Sequence, residues 1–287
     1  MVAKTLSSYR LASLEQTIKQ LNQEDCIIIA GGTDVMVLHK NRRGVPPKIT
    51  KPVVFIDHLR ELKQVYAIKT DLHIGACCTY SELLQHPLIP KVLKKAIKEI
   101  AAPAIRNRGT IGGNICNASP AGDTLPLLYL YNTKLLLRSV NGDRLVEIKD
   151  FIQGPRRVQR FNNEILVEVI LPSALENDPH IIFEKIANRR ADAIAKISFA
   201  GYLHVQNEVI FDARFAFGAV GPTIVRSLDI EQILYGKAHP LDNKLINAII
   251  KEYGNLIHPI DDQRSTAIYR KTVALKLLRY FLETKGM

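Results

Sequence analysis

Apolar and polar residues alternate along the chain with two periods, one helical and one extended. Leu14, Ile18 and Leu21 recur at helical spacing behind Ser13-Leu14-Glu15-Gln16, an S-x-x-Q capping box, and predict a first helix. DCIIIAGGTDVMVLHK then runs apolar residues straight into a double glycine, the pattern of a buried strand that ends in a tight turn. KPVVFIDH (51–58) reads as a second buried strand and LHIGACC (72–78) as a third, with Thr79-Tyr80-Ser81-Glu82 as another capping box opening a short helix.

Val92, Leu93, Ala96, Ile97 and Ile100 lie opposite Lys91, Lys94, Lys95 and Lys98, which predicts an amphipathic helix ended by Pro103. DTLPLLYLYN suggests a second, buried helix. KLLLRSV, RLVEI and EILVEVILP read as antiparallel strands, the first two joined at Asn141-Gly142, a hairpin signal. Beyond Pro172 the polar linker SALENDPH places a domain boundary near 173–178. IIFEKIA, ISFAGYLHVQNEVIFDARFAFGAV and helices at about 242–256 and 263–284 then form a separate α+β module.

Composition narrows the class. A chain of 287 residues makes one large domain or two to three smaller ones. The first thirty residues carry charges throughout, unlike a signal peptide, and no run of eighteen apolar residues exists. The expectation is a cytoplasmic protein without a membrane span. Cys26, Cys77, Cys78 and Cys116 fit neither a disulfide framework, a CxxC knuckle nor a ferredoxin-type cluster, so no metal site is expected. Cys77 and Cys78 read as a strand end with one side chain buried, and Cys116 as a small buried hydrophobe rather than a redox group. Thirty-nine Lys plus Arg against 28 Asp plus Glu give a net charge of +11. The cations are spread along helices without interleaved aromatics, as a solvated face or as a docking face for an acidic subunit. Nucleic-acid binding explains the charge but leaves the glycines without a purpose.

Two glycine segments stand out: Ala30-Gly31-Gly32-Thr33-Asp34, and Thr110 to Asn114 within the long loop GTIGGNICNASPAGD (109–123). Each is a plain turn or a concavity of backbone N–H groups that holds an anion, and two together suit a diphosphate. Neither has the Walker or the Rossmann pattern. Asn117, Ser119 and Asp123 follow. Asp123 is either an acceptor for sugar hydroxyls or the N-cap of the helix in DTLPLLYL.

IAGGTDVMV, IGACCTYSEL, IAAPAIRNRGTIGGNICNASPAGD, EILVEVILP, FEKIANRRADAIAKIS and STAIYRKTV, in this order, resemble the FAD-binding medium subunit of the xanthine dehydrogenase and carbon monoxide dehydrogenase family of molybdenum hydroxylases. The resemblance implies an α+β fold: a two-part FAD-binding domain of the vanillyl-alcohol oxidase (PCMH) type over 1–175, with a break near 55–60, and a smaller C-terminal α+β domain of the CO dehydrogenase flavoprotein type over 176–287. It implies that Ile29, Ala30, Gly31, Gly32, Thr33, Asp34 and Val35, with Thr110, Ile111, Gly112, Gly113 and Asn114, surround the FAD diphosphate, and that Cys116 lies near the flavin. Asp123 would bind the sugar-alcohol region. Leu166 would pack on the ring system, the other reading being a core leucine. Lys185 would approach the ring's polar edge, the other reading being a surface ion pair. The implied partners are an iron-sulfur subunit and a molybdopterin-binding large subunit, with NAD or another final acceptor. No side chain is expected to be an acid or base. A stand-alone flavin oxidase and a basic scaffold without flavin are the rival readings.

Overall fold

A computed structural model describes residues 6–172 and 181–284. The linker and the boundary expected near 173–178 lie outside the described residues. Two compact units emerge. The first comprises the described residues of Met1–Ile89, Ala102–Asn117 and Thr133–Ser173; the second comprises Pro90–Ala101, Ala118–Asn132 and the described residues of Ala174–Met287.

The first unit begins with β1 (Ser8–Tyr9) and helix α1 (Leu14–Gln23). The Ser13 hydroxyl accepts the Gln16 N–H, as the capping box requires, but the Gln16 side chain accepts from Ala12 N–H instead of closing the box on Ser13. β2 (Ile27–Ile29) leads through a turn into α2 (Val35–His39), and β3 (Val53–Phe55) pairs in parallel with both β1 and β2. Leu14, Ile18 and Leu21 of α1 join Val54, Ile56 and Cys77 in one apolar core.

A second, antiparallel sheet follows. It is built from β4 (Val65–Ile68) and β5 (Asp71–Gly75), and later strands complete it. α3 (Tyr80–Gln85) opens with the full capping box at Thr79 and Glu82. α4 (Lys91–Lys98) belongs to the second unit and stops before Ile100; Pro103 does not end it but opens α5 (Pro103–Arg106), where its missing N–H costs nothing. α6 (Ile111–Asn117) returns to the first unit and α7 (Leu125–Leu130) to the second. β6 (Lys134–Ser139) and β7 (Gly142–Glu147) form the expected hairpin, with Gly142 at φ +112°. α8 (Ile148–Phe151) and the small ribbon β8 (Ile152–Gly154) and β9 (Arg157–Val158) precede β10 (Ile165–Leu171). The sheet order is β4-β5-β10-β6-β7, with a bulge in β10 between Leu166 and Glu168.

In the second unit β11 (Ile182–Ile186), β12 (Ile197–Gln206) and β13 (Val209–Gly218) make an antiparallel sheet in that order. α9 (Leu228–Gln232), α10 (Asn243–Leu256) and α11 (Ala267–Thr284) complete the strand-then-helix order read from the sequence. Phe199, Phe215, Phe217, Tyr253 and Phe281 fill its core, mostly in tilted or edge-on pairs. All six residues of α7 are buried, so its terminal carbonyls have no water and need protein donors. Arg214 donates to Leu130 O at 3.1 Å, and Arg226 donates to Tyr129 O and to Asn132 Oδ1. Arg226 is itself neutralised by Glu231, whose side chain is wholly buried. No helix among the described residues is long and apolar enough to cross a membrane.

The weight of that arrangement is measurable. Arg226→Met leaves Glu231 buried without its cation and should cost about 3–5 kcal/mol in urea unfolding, against about 1 kcal/mol for removing the α1 cap in Ser13→Ala. Equal losses from the two variants would show that Arg226 does not hold α7.

Candidate cofactor-binding site

In the first unit the chain leaves β2 with Ile29 O accepting the Ile56 N–H at 3.0 Å, and so anchors the start of the first glycine turn. A Cβ on Gly31 would lie 1.8 Å from the carbonyl oxygen of Arg108, so no side chain fits there. Gly32 has φ +73°, the left-handed region that Cβ-bearing residues avoid. Val35 N–H donates back to Gly32 O at 3.3 Å and closes the turn. The N–H groups of Gly31, Gly32, Thr33 and Asp34 find no acceptor among the described residues. Four consecutive free amides in such a turn form an anion-binding concavity. Asp34 is exposed and makes no cap bond to α2.

The second glycine segment is built differently. Its first residues run beside the turn after β5: Tyr80 N–H donates to Gly109 O, Ile111 N–H to Cys78 O and Gly112 N–H to Ala76 O, at 2.9–3.1 Å. A Cβ on Gly112 would come within 2.6 Å of Ala76 Cβ. Ala76 is fixed in turn by its N–H to Val167 O at the β10 bulge. Thr110 caps α6, its hydroxyl accepting Gly113 N–H and its carbonyl accepting Asn114 N–H, both at 3.0 Å. The amides of Ile111, Gly112, Gly113 and Asn114 are therefore already engaged.

Residues 109–123 are thus not one long loop. Ile111 and Ile115 point inward from α6 at 0% exposure, while Gly113 and Asn114 face outward. The expectation failed because two isoleucines four residues apart suffice to anchor two turns of helix when glycine lets the backbone press on Ala76. A Cβ on Gly109 would lie 3.7 Å from Thr33 Oγ1. The structure therefore brings the two glycine segments together, through the Arg108 carbonyl that sequence reasoning passed over.

The cysteines correct another reading. β5 stops at Gly75, and Cys77 and Cys78 follow it in a turn, both buried. Burial pushes both thiols up to about 12. Cys116 is half-buried on α6, and burial pushes its thiol up to about 11 despite the nearby Arg160. It carries no thiolate at neutral pH. Leu166 is buried on β10 opposite Leu137, and Ile29 is buried at the end of β2.

The second unit holds Asp123 and Lys185. The Lys185 ammonium donates to Asp123 Oδ2 and to Glu99 O, both at 2.7 Å, with the two side chains only 4% and 10% exposed. This is a buried pair, not a surface one. Asp123 is not a helix cap either: the N-cap of α7 is Thr124. Asp123 Oδ1 is buried without a hydrogen-bond partner, a state that costs free energy until a donor arrives. Neighbouring Lys95 is not free in solvent, because it donates to Phe183 O and to Glu184.

Burial raises the Asp123 pKa from 3.8 to about 6, and Lys185 only partly offsets it. A raised carboxyl pKa gives stability that is complete below pH 3.8 and lost as pH rises through about 6. The stability of the wild-type chain relative to Asp123→Asn should therefore fall between about pH 4 and pH 7 in urea unfolding. A difference that grows with pH would mean that Lys185 dominates over burial.

Residues 4–174 match the family described as FAD binding domain in molybdopterin dehydrogenase, and residues 183–284 match the CO dehydrogenase flavoprotein C-terminal domain. The chain is 31% identical over 271 residues to the putative xanthine dehydrogenase FAD-binding subunit of Escherichia coli, covering 92% of this chain and 90% of that protein. It is 31% identical over 253 residues to the nicotinate dehydrogenase FAD-subunit of Eubacterium barkeri, covering 85% and 82%. Among solved structures, quinoline 2-oxidoreductase from Pseudomonas putida 86 superposes with a TM-score of 0.84 at 26% identity, over 100% of this chain and 98% of the matched chain. The two-part flavin domain, the C-terminal module and these relatives agree that the chain belongs to the FAD-binding medium subunits of the molybdenum hydroxylase family, the FAD-carrying oxidoreductase components of such enzymes.

Proposed function

We propose that this chain is the electron relay of a molybdenum hydroxylase, standing between iron-sulfur centres of a partner subunit and NAD or another acceptor. A molybdopterin-binding large subunit would oxidise the substrate. FAD supplies the exchange between one-electron and two-electron carriers.

The observation that carries this reading is the row of unengaged amides from Gly31 to Asp34, with the Arg108 carbonyl filling the place of a side chain. A diphosphate suits these donors, because each anionic oxygen accepts from backbone N–H groups that are already oriented. The second segment would contribute through position: the amides of Ile111 to Asn114 are spent on Ala76, Cys78 and Thr110, which fixes the chain that carries Arg108 and Gly109 against the first turn. Asp123 Oδ1, buried and unpartnered, suits a hydroxyl donor of the FAD sugar-alcohol chain. Lys185 uses two of its three ammonium protons on Asp123 and Glu99, and the third remains for the polar edge of the flavin ring. Leu166 and Cys116 would supply apolar contact. None of these residues is required to move a proton.

Gly32→Ala forces a Cβ into left-handed backbone and should re-aim the amides. The variant is expected to fold with a small loss of stability, about 1–2 kcal/mol, and to lose at least about tenfold in FAD affinity, a factor that takes only about 1.4 kcal/mol. Full flavin absorbance at one FAD per chain would show that the turn does not hold the diphosphate.

The wild-type chain, purified alone with FAD, is expected to reduce an artificial dye with NADH when NAD is the physiological acceptor. It should leave purines and aldehydes untouched. Substrate oxidation by the single chain, or iron in stoichiometric amount, would overturn the relay reading.

A further inference from the structure

We infer that, given the diphosphate site proposed above, the Arg108 side chain is its cation, adding a full positive charge to a turn that otherwise offers only N–H dipoles. The backbone places the residue. The carbonyl oxygen of Arg108 is the atom that a Cβ on Gly31 would strike at 1.8 Å, and a Cβ on the next residue, Gly109, would lie 3.7 Å from Thr33 Oγ1. Arg108 N–H and Gly109 N–H both donate to Ile105 O, at 3.1 Å and 2.6 Å. The main chain is thus fixed beside the turn, and the side chain is left to choose its partner.

That side chain is loosely committed. Its Nη2 lies 3.5 Å from Asp57 Oδ2, it is 61% exposed, and it makes no hydrogen bond among the described residues. Asp57 already has a closer partner in Arg10, which donates to Oδ1 at 2.8 Å. Two cations share one carboxylate, and the closer pairing leaves Arg108 in surplus. Burial pushes the Asp57 carboxyl up, but the hydrogen bond and charge of Arg10, with the charges of Arg108 and His58, outweigh burial and hold the group below its ordinary value of 3.8. Asp57 is therefore an anion at neutral pH.

It also stands near the anion site. Ile56 N–H continues the parallel β2–β3 ladder by donating to Ile29 O, so Asp57 and the glycine turn leave the strands at the same edge. Asp34 adds an exposed carboxylate within the turn itself. Two carboxylates oppose the approach of a diphosphate, and Arg10 offsets only one of them. Arg108 is the cation whose own backbone touches the turn. Its planar fork matches phosphate oxygens in pairs, and giving up a contact with Asp57 costs little because so exposed an ion pair contributes little.

The test is a titration of FAD into the purified chain after its flavin has been removed, read by flavin fluorescence at low and high salt. Arg108→Gln should weaken FAD binding about tenfold at low salt, as expected for a lost charged hydrogen bond. It should also flatten the salt dependence, so that its affinity meets that of the wild type where charge is screened. Arg108→Lys, which keeps the charge, should keep most of the affinity. Asp57→Asn, which removes the competing carboxylate, should bind FAD at least as tightly as the wild type. The unfolding midpoints of both Arg108 variants should match the wild type. Unchanged affinity in Arg108→Gln, a loss of equal size at every salt concentration, or an equal loss in Arg108→Lys would overturn the inference. A loss in Asp57→Asn as large as that in Arg108→Gln would overturn it too, by showing that the ion pair is only a structural clamp. A wild-type chain that takes up no FAD, or one whose affinity survives Gly32→Ala, would defeat the diphosphate site itself and the inference with it.

Discussion

Contact between bare backbones governs the first unit. The carbonyl of Arg108 occupies the space a side chain on residue 31 would need, and Ala76 occupies that of residue 112. Packing of this kind is closer than side chains allow, and it fastens three segments distant in sequence into one layer. The layer has direction as well as tightness. Ala76 is held by the β10 bulge, it accepts the Gly112 amide, and the same stretch of chain presents Arg108 to the first turn. What is left over at the end of this series of bonds is the set of four amides from Gly31 to Asp34. None of the four finds an acceptor among the described residues.

Buried charge plays the corresponding part in the second unit. Glu231 with Arg226 and Asp123 with Lys185 are removed from water, an expensive choice unless each charge also makes further hydrogen bonds. Arg226 does so at the end of α7, and Lys185 does so at Glu99 O. Asp123 does so with one oxygen only. The incomplete member of an otherwise satisfied set is where an external donor gains the most. The two oxygens of one carboxylate therefore differ: Oδ2 holds Lys185, and Oδ1 is left buried without a partner.

Much of the fold was legible because periodicity and local chemistry agreed. The caps at Ser13 and Thr79, the hairpin at Asn141-Gly142 and the order of strands then helices after residue 181 all rest on interactions between residues close in the chain. The glycine segments were legible as special, yet their division of labour was not. Sequence showed two similar loops; the structure shows one free turn and one helix start whose amides are spent. Which amides are free depends on carbonyls at residues 76 and 78, and nothing in the spelling of TIGG reveals that they are opposite.

The same reason separates what the chain determined alone from what folding added. Residue order by itself determined the capped and strongly amphipathic helices, the main strands, the double glycines with their family resemblance, and the lack of a cysteine set for a cluster. Only tertiary structure decided that Pro90–Ala101 and Ala118–Asn132 leave their sequence neighbours to pack with the C-terminal strands. It decided too that Asp123 meets Lys185 instead of capping α7, and that the apolar residues of α2 stay uncovered. A capping bond or a hairpin is settled within a few residues, whereas burial, charge pairing and the freedom of an amide depend on whatever distant segment the fold places against them.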